Sequence, residues 1–225
     1  WWVLDPLCFM LIYVFMFGYV FKSNQQYFAI FVFIGITLWD FFNKSLLQSV
    51  KVIKANKPIV SKVYIPKFIL LFVKMGVNGF KMCISLLIIL AMMLVFRVPV
   101  TWNVLYFIPI LMTLIVIVFG FSCFLLHYGV FVEDLSNVLN IVLRFLFYLT
   151  GVFWNIMDRL PAPYNDYIGK GNPIAFLLTA SRDCLIYGKT PHRKLLLMWF
   201  VVGVIISILG VRKIYKNENS YVKVI

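Results

Sequence analysis

Six apolar runs, each about as long as a lipid bilayer is thick, leave this chain of 225 residues little choice of fold. They cover roughly residues 1–21, 27–50, 68–96, 102–126, 135–157 and 195–211. A hydrocarbon core of about 30 Å takes about 20 helical residues to cross. The last run is the shortest, 17 residues, or about 26 Å at the helical rise, enough to span with anchoring flanks. Composition agrees: 63% of the chain is hydrophobic and 13% charged, against about half and a quarter in ordinary globular proteins. The expected fold is an all-α polytopic membrane protein with six transmembrane helices, forming a single domain over 1–225.

The net charge of +13 is read through the same frame. Lysines that flank membrane spans follow the positive-inside bias, and no arginine-rich or aromatic-interleaved patch points to nucleic acid. Residues 44–67 hold Lys44, Lys51, Lys54, Lys57, Lys62 and Lys67, and the tail after 211 holds Arg212, Lys213, Lys216 and Lys223. The short loops on the opposite side hold Lys22 and Arg97. The lysine-rich end and both termini are therefore expected on the cytoplasmic side of a plasma membrane. The segment 158–194 lies outside in this arrangement although it has six basic residues, partly offset by Asp158, Asp166 and Asp183.

Within that outer segment, NPIAFLLTASRDCLIYG (172–188) is apolar enough to enter lipid yet too short and too charged to cross it. It is expected as an interfacial or re-entrant helix, with a plain extracellular loop as the alternative. Pro109 predicts a kink in the fourth run. The opening WWVLDPLCFM has neither an initiator Met nor the basic start and cleavage site of a signal peptide, so an N-terminal interface segment is expected upstream.

Chemistry is sparse. Cys8, Cys83, Cys123 and Cys184 are scattered, with no C-x-x-C pair and only His127 and His192 to assist, so neither a metal site nor a disulfide framework is expected. There is no phosphate-binding G-x-x-x-x-G-K-[ST], no H-E-x-x-H and no G-x-S-x-G. No catalytic residue is assigned. Transport is the stronger class, and its energy source must lie on another chain.

The order of features resembles the transmembrane subunit of ABC-2-type exporters, in particular those for O-antigen polysaccharide and wall teichoic acid. LWDFF (38–42) matches a tryptophan-aromatic patch in the second span. ANKPIVSKVYIPKFIL (55–70) matches the family's pattern at Asn56, Lys62 and Pro66. LRFLFYLTGVFW (143–154), Asn172–Pro173 and SRDCLIYG with Arg182 follow in the family's order. Two departures stand out: Glu133–Asp134 where the family has Arg-Asp, and Gly151 where it has proline.

The resemblance implies a homodimer of this chain working with two copies of a cytoplasmic ABC ATPase, with ATP and Mg bound on that partner and none here. It implies that 51–66 contains a coupling helix, with Lys51, Lys54, Asn56, Lys57 and Lys62 at the ATPase. Pro58 and Pro66 restrict its ends; anchoring of the same lysines to anionic headgroups is the alternative. It implies a re-entrant extracellular gate over about 158–190, marked by Asn172, Pro173 and Arg182. Aromatic rings that stack on sugars line the channel in such exporters, and Trp1, Trp2, Tyr13, Tyr148 and Trp154 qualify by position.

Three further charges bear on a substrate path. Lys67, Lys74 and Lys81 are seven apart and share one helical stripe, beside Asn78 and Ser85. They form either a positive entrance for an anionic lipid-linked substrate or a set of snorkelling side chains. Arg144, inside the fifth run, is expected to face the protein interior or a polar path, with pairing to Asp134 as the alternative. The function expected is ATP-driven export of a lipid-linked cell-envelope glycan. Alternatives are efflux of a drug or small lipid, and an ATP-independent channel or membrane enzyme.

Overall fold

The computed structural model describes residues 27–156, 161 and 163–224, together with 4, 7, 8, 11, 12, 15 and 16 of the opening segment. Its elements are helical: α1 (Phe28–Ala55), α2 (Lys57–Val60), α3 (Lys67–Val95), α4 (Phe107–Phe131), α5 (Leu135–Leu149), α6 (Tyr164–Gly171), α7 (Pro173–Leu185) and α8 (Arg193–Val224), with a 3-10 turn over Trp102–Tyr106. No strand occurs among the described residues. Four helices there are long and apolar enough to cross a membrane: Phe28–Ala55, Lys67–Val95, Trp102–Phe131 and Arg193–Glu218.

The arrangement follows from which helices are apolar all round. On α1, Ile30 through Leu38 are almost continuously buried, as are Trp39, Phe41, Phe42 and Leu46. A helix buried on every side belongs at the centre of a bundle, and α1 does pack against α3, α4, α5 and α7. Helix α3 instead buries one stripe, Leu71, Met75, Asn78, Met82, Ser85, Ile89 and Met93. Its other side exposes Phe72, Val73, Phe80, Leu87 and Leu94. An apolar face of that extent is stable against lipid, not water.

Helices α4 and α8 make the most extensive pair, and small residues set their approach. A side chain added at Gly210 would place its Cβ 2.6 Å from Cys123 Cβ, and one at Gly120 would meet Ile206 at 2.9 Å. Ser207 Oγ adds a 3.0 Å hydrogen bond to the Val116 carbonyl. Close backbone approach through small residues, reinforced by a hydroxyl, is how membrane helices gain packing energy without a water-driven hydrophobic effect.

The fifth run departs from its expected length. Its helix is the 15-residue α5, about 22 Å long and so short of a full core crossing. The chain leaves the helix after Thr150 because Gly151 takes a left-handed φ of +69°, a conformation that only glycine adopts at little cost. This helix ends at Leu149, and residues 150–155 are non-helical.

Candidate functional site

Two assemblies stand out, one at each end of the bundle. At the lysine-rich end, Asn56 closes α1: its Nδ2 donates to the Val52 carbonyl at 2.7 Å. The chain then makes the single turn α2, with Pro58 in its first turn, and passes through Ser61–Pro66 into α3. Pro66 is extended, at ψ 122°, and has no side-chain oxygen to cap α3. Lys51, Lys54, Lys57 and Lys62 are exposed and Asn56 half-buried. Ile59, Val63 and Tyr64 are exposed beside them, while Val60 is buried. The segment thus presents a mixed basic and apolar face and is anchored through Val60.

Lys67 does not join the solvated lysines. It is 2% exposed, with its Nζ 3.0 Å from the Ile65 carbonyl and 3.6 Å from Glu218 Oε1. Helix α3 turns it onto the same side as Leu71 and Asn78, so the stripe divides: Lys74 is exposed and Lys81 half-buried. Glu218 was missed by sequence reasoning. Its signal is that it is the single acid after Asp183 in a basic tail.

At the opposite end the decisive residue is Arg182, 3% exposed on α7. Its Nε donates to the Phe31 carbonyl at 3.2 Å, Nη1 to the Gly151 carbonyl at 2.8 Å and Nη2 to the Val152 carbonyl at 2.6 Å. The guanidinium carbon lies 3.5 Å from the centre of the Phe31 ring. Gly35 on α1 makes room for it: an added Cβ would stand 2.5 Å from Nη2. One side chain therefore ties together α1, α7 and the unwound end of α5. The carbonyls it satisfies at 151 and 152 lie in the turn just past the end of α5.

Asn172 and Pro173 start α7. The Asn172 side-chain oxygen accepts from the amides of Ile174 at 3.0 Å and Ala175 at 3.4 Å, and Pro173 occupies the first turn, where its missing N–H is harmless. This start of α7 lies deep. Together with Trp39, Phe42, Leu46, Leu143 and Tyr167 it lines an almost wholly apolar cavity of about 520 Å³. Trp39 and Phe42 are 11 and 14 residues into α1, or roughly 17–21 Å from its start. The far end of α7 returns to the bundle's edge, where Asn103 Nδ2 donates to the Gly188 carbonyl.

The remaining expected path residues are not brought together within the protomer. Arg144 is exposed on α5 and so does not face the interior of the protomer. The buried face of α5 runs through Ser136 and Leu143, and the next residue is turned about 100° away. Asp134 accepts from Asn137 at 3.5 Å and forms no ion pair with Arg144 among the described residues. Tyr148 is 69% exposed on the same outward side; Trp154 is half-buried in the turn that follows. Trp1, Trp2 and Tyr13 lie outside the described residues.

The profile of the ABC-2 type transporter family matches residues 3–186, four-fifths of the chain. This chain belongs to the ABC-2 type transporter family. Among curated proteins this ABC-2 chain is similar to an O-antigen export system permease protein RfbA of Klebsiella pneumoniae, 22% identical over the whole chain and 86% of the relative. The permease of the same name from Myxococcus xanthus is 22% identical over 92% of this chain and 79% of its own length. The ABC-2 match includes both assemblies, the lysine-rich segment and the Arg182 node.

Proposed function

We propose that this chain is the membrane-spanning subunit of an ATP-driven exporter that moves a lipid-linked cell-envelope polysaccharide, an O-antigen or similar glycan, from the cytoplasm to the outside. The observation that carries this reading is the end-to-end similarity to O-antigen export permeases. Members of the ABC-2 family normally work with an ABC ATPase. In this reading the partner is present in two copies, binds the ATP and Mg, and docks on the face formed by Lys51, Lys54, Asn56, Lys57 and Lys62. Displacement of that segment then reaches the central helix α1 and lipid-facing α3 together, because both grow directly from it.

A homodimer is supported by the outward face of α5, where Val138, Ile141, Val142, Phe145 and Tyr148 are exposed. In this reading two copies face each other there, with Arg144 and Tyr148 toward the space between them. Such a path suits a glycan: aromatic faces stack on sugars without demanding one sequence, and Arg144 attracts a phosphate-bearing head. Lys74 and Lys81 sit on α3 toward the cytoplasmic end and serve as the entrance charges. The deep start of α7 supports a six-span subunit in which 158–190 re-enters from the outside as a gate pinned by Arg182. Lysine bias supports a plasma-membrane protein with both termini in the cytoplasm.

Deleting the gene in its own host tests the reading. A lipid-linked glycan should build up on the cytoplasmic side and disappear from the cell surface, restored by the parent chain but not by Lys54→Glu/Lys57→Glu. An unchanged surface glycan in the deletion strain would sink it.

A further inference from the structure

Helix α8 runs 32 residues, about 48 Å, which exceeds the bilayer core by several turns. Its final turns do not project freely. Glu218 is 7% exposed and meets three groups at the exit of the lysine-rich segment. The Tyr64 hydroxyl donates to Oε2 at 3.2 Å, the Lys67 backbone amide donates to Oε1 at 3.3 Å, and the Lys67 ammonium lies 3.6 Å from Oε1. That amide belongs to the first residue of α3, whose own cap, Pro66, supplies no side-chain oxygen. Glu218 therefore caps α3 from a helix 151 residues away, at the terminus where a carboxylate is favoured.

The same stretch of α8 also holds the end of α4. Lys213 Nζ donates to the Tyr128 hydroxyl at 2.6 Å, and His127 Nδ1 and the Tyr221 hydroxyl lie 2.8 Å apart. Tyr215 packs on Phe68 of α3, ring centres 5.5 Å apart. A buried ion pair is a poor source of net stability, because desolvation offsets the attraction; its best-attested use is to fix register. Stability alone is thus a weak reason to bury Lys67 with Glu218.

We propose that the membrane-distal end of α8 is a transmission brace, with Glu218 the positioning residue that clamps the exit of the coupling segment to α8 and, through Lys213 and Tyr221, to α4. The proposal rests on the reading of 51–66 as the ATPase-docking segment. It adds a second route for the stroke: the segment's exit, α3, α4 and α8 move as one body, instead of the segment flexing at Pro66. In the brace Glu218 acts through Tyr64 and Lys67, the groups it meets among the described residues.

The test uses the full complex of this chain with its ATPase, with spin labels on Ser61→Cys and Lys216→Cys in a background free of other cysteines. The distance between labels is read by pulsed electron resonance in nucleotide-free and vanadate-trapped states. In the parent the distance is expected to be narrow and equal in both states, since the two sites move together. Glu218→Ala should leave the ATPase bound but broaden the distribution and shift it on trapping. Glu218→Gln keeps one acceptor oxygen, for the Lys67 amide or for Tyr64 but not both, and drops the charge, so it should fall between. If Glu218→Ala does not yield monodisperse protein, Tyr64→Phe, at an exposed site, should show the same change to a lesser degree. A parent distance that shifts on trapping overturns the brace, as does a Glu218→Ala distribution as narrow and unshifted as the parent's. Failure of the ATPase to co-purify with the parent would instead defeat the docking reading on which the brace rests.

Discussion

Replacing Arg182 by methionine, which keeps length and apolar bulk but removes every donor, probes the contact that holds three parts of the fold together. Three buried carbonyls, those of Phe31, Gly151 and Val152, each lose a charged donor at once. A hydrogen bond to a charged group is worth about 1.5–3 kcal/mol net, so three sum to roughly 5–9 kcal/mol. In the proposed re-entrant placement, removing the charge from the membrane interior returns about 2.5–3.5 kcal/mol on insertion scales. The balance is a loss of about 1.5–6.5 kcal/mol, which for a chain of this size lowers the melting temperature by roughly 3–26 °C. Fluorescence-detected size-exclusion chromatography after heating, in one detergent throughout, measures it. Arg182→Lys should recover only part of the loss, since a point charge cannot fork to carbonyls in two directions. If Arg182→Met melts with the parent, the three bonds contribute nothing net and the pinning role of Arg182 fails.

Gly35→Ala should mimic that defect, because its Cβ would stand 2.5 Å from the guanidinium and 2.9 Å from the Val152 carbonyl; heated with Arg182→Met in one chain, the two losses should be far from additive. Lys54→Glu with Lys57→Glu should leave the subunit inserted and its melting unchanged, yet abolish co-purification of the ATPase or its coupled activity, as read by pull-down and phosphate release. In a background without the four native cysteines, Val100→Cys and Lys62→Cys, both exposed, should react with an impermeant maleimide from opposite sides of the membrane.

What could be read from the sequence was what hydropathy and proline alone decide. The helices α1, α3 and α4 overlap the apolar runs read for them, whereas α8 begins with its run but continues to Val224, 13 residues past 211, and Pro58 and Pro66 flank the turn between α1 and α3 as their fixed φ allows. The end of α5 was not legible, since GVFW is as apolar as the helix before it and only the backbone of Gly151 reveals the break. Arg144 and Lys67 show why charge facing is hard to infer. A rule that buries intramembrane charge predicted Arg144 inside, but a single protomer leaves it out on α5. Lys67 reads as one more basic residue near a membrane until Glu218, 151 positions later, is seen beside it. Arg182 was picked out by motif, whereas its partners are backbone carbonyls, which carry no sequence signature.

The central claim is export of a lipid-linked glycan, and one transport measurement meets it directly. Proteoliposomes holding this chain with its proposed ATPase are loaded with the lipid-linked glycan that accumulates in the deletion strain, and translocation is followed by access of an added glycosidase to the opposite leaflet. The account predicts translocation that requires ATP, stops with vanadate and is lost in Lys54→Glu/Lys57→Glu. No ATP-dependent movement of the glycan, with intact hydrolysis stimulated instead by a drug or a short-chain lipid, would contradict it.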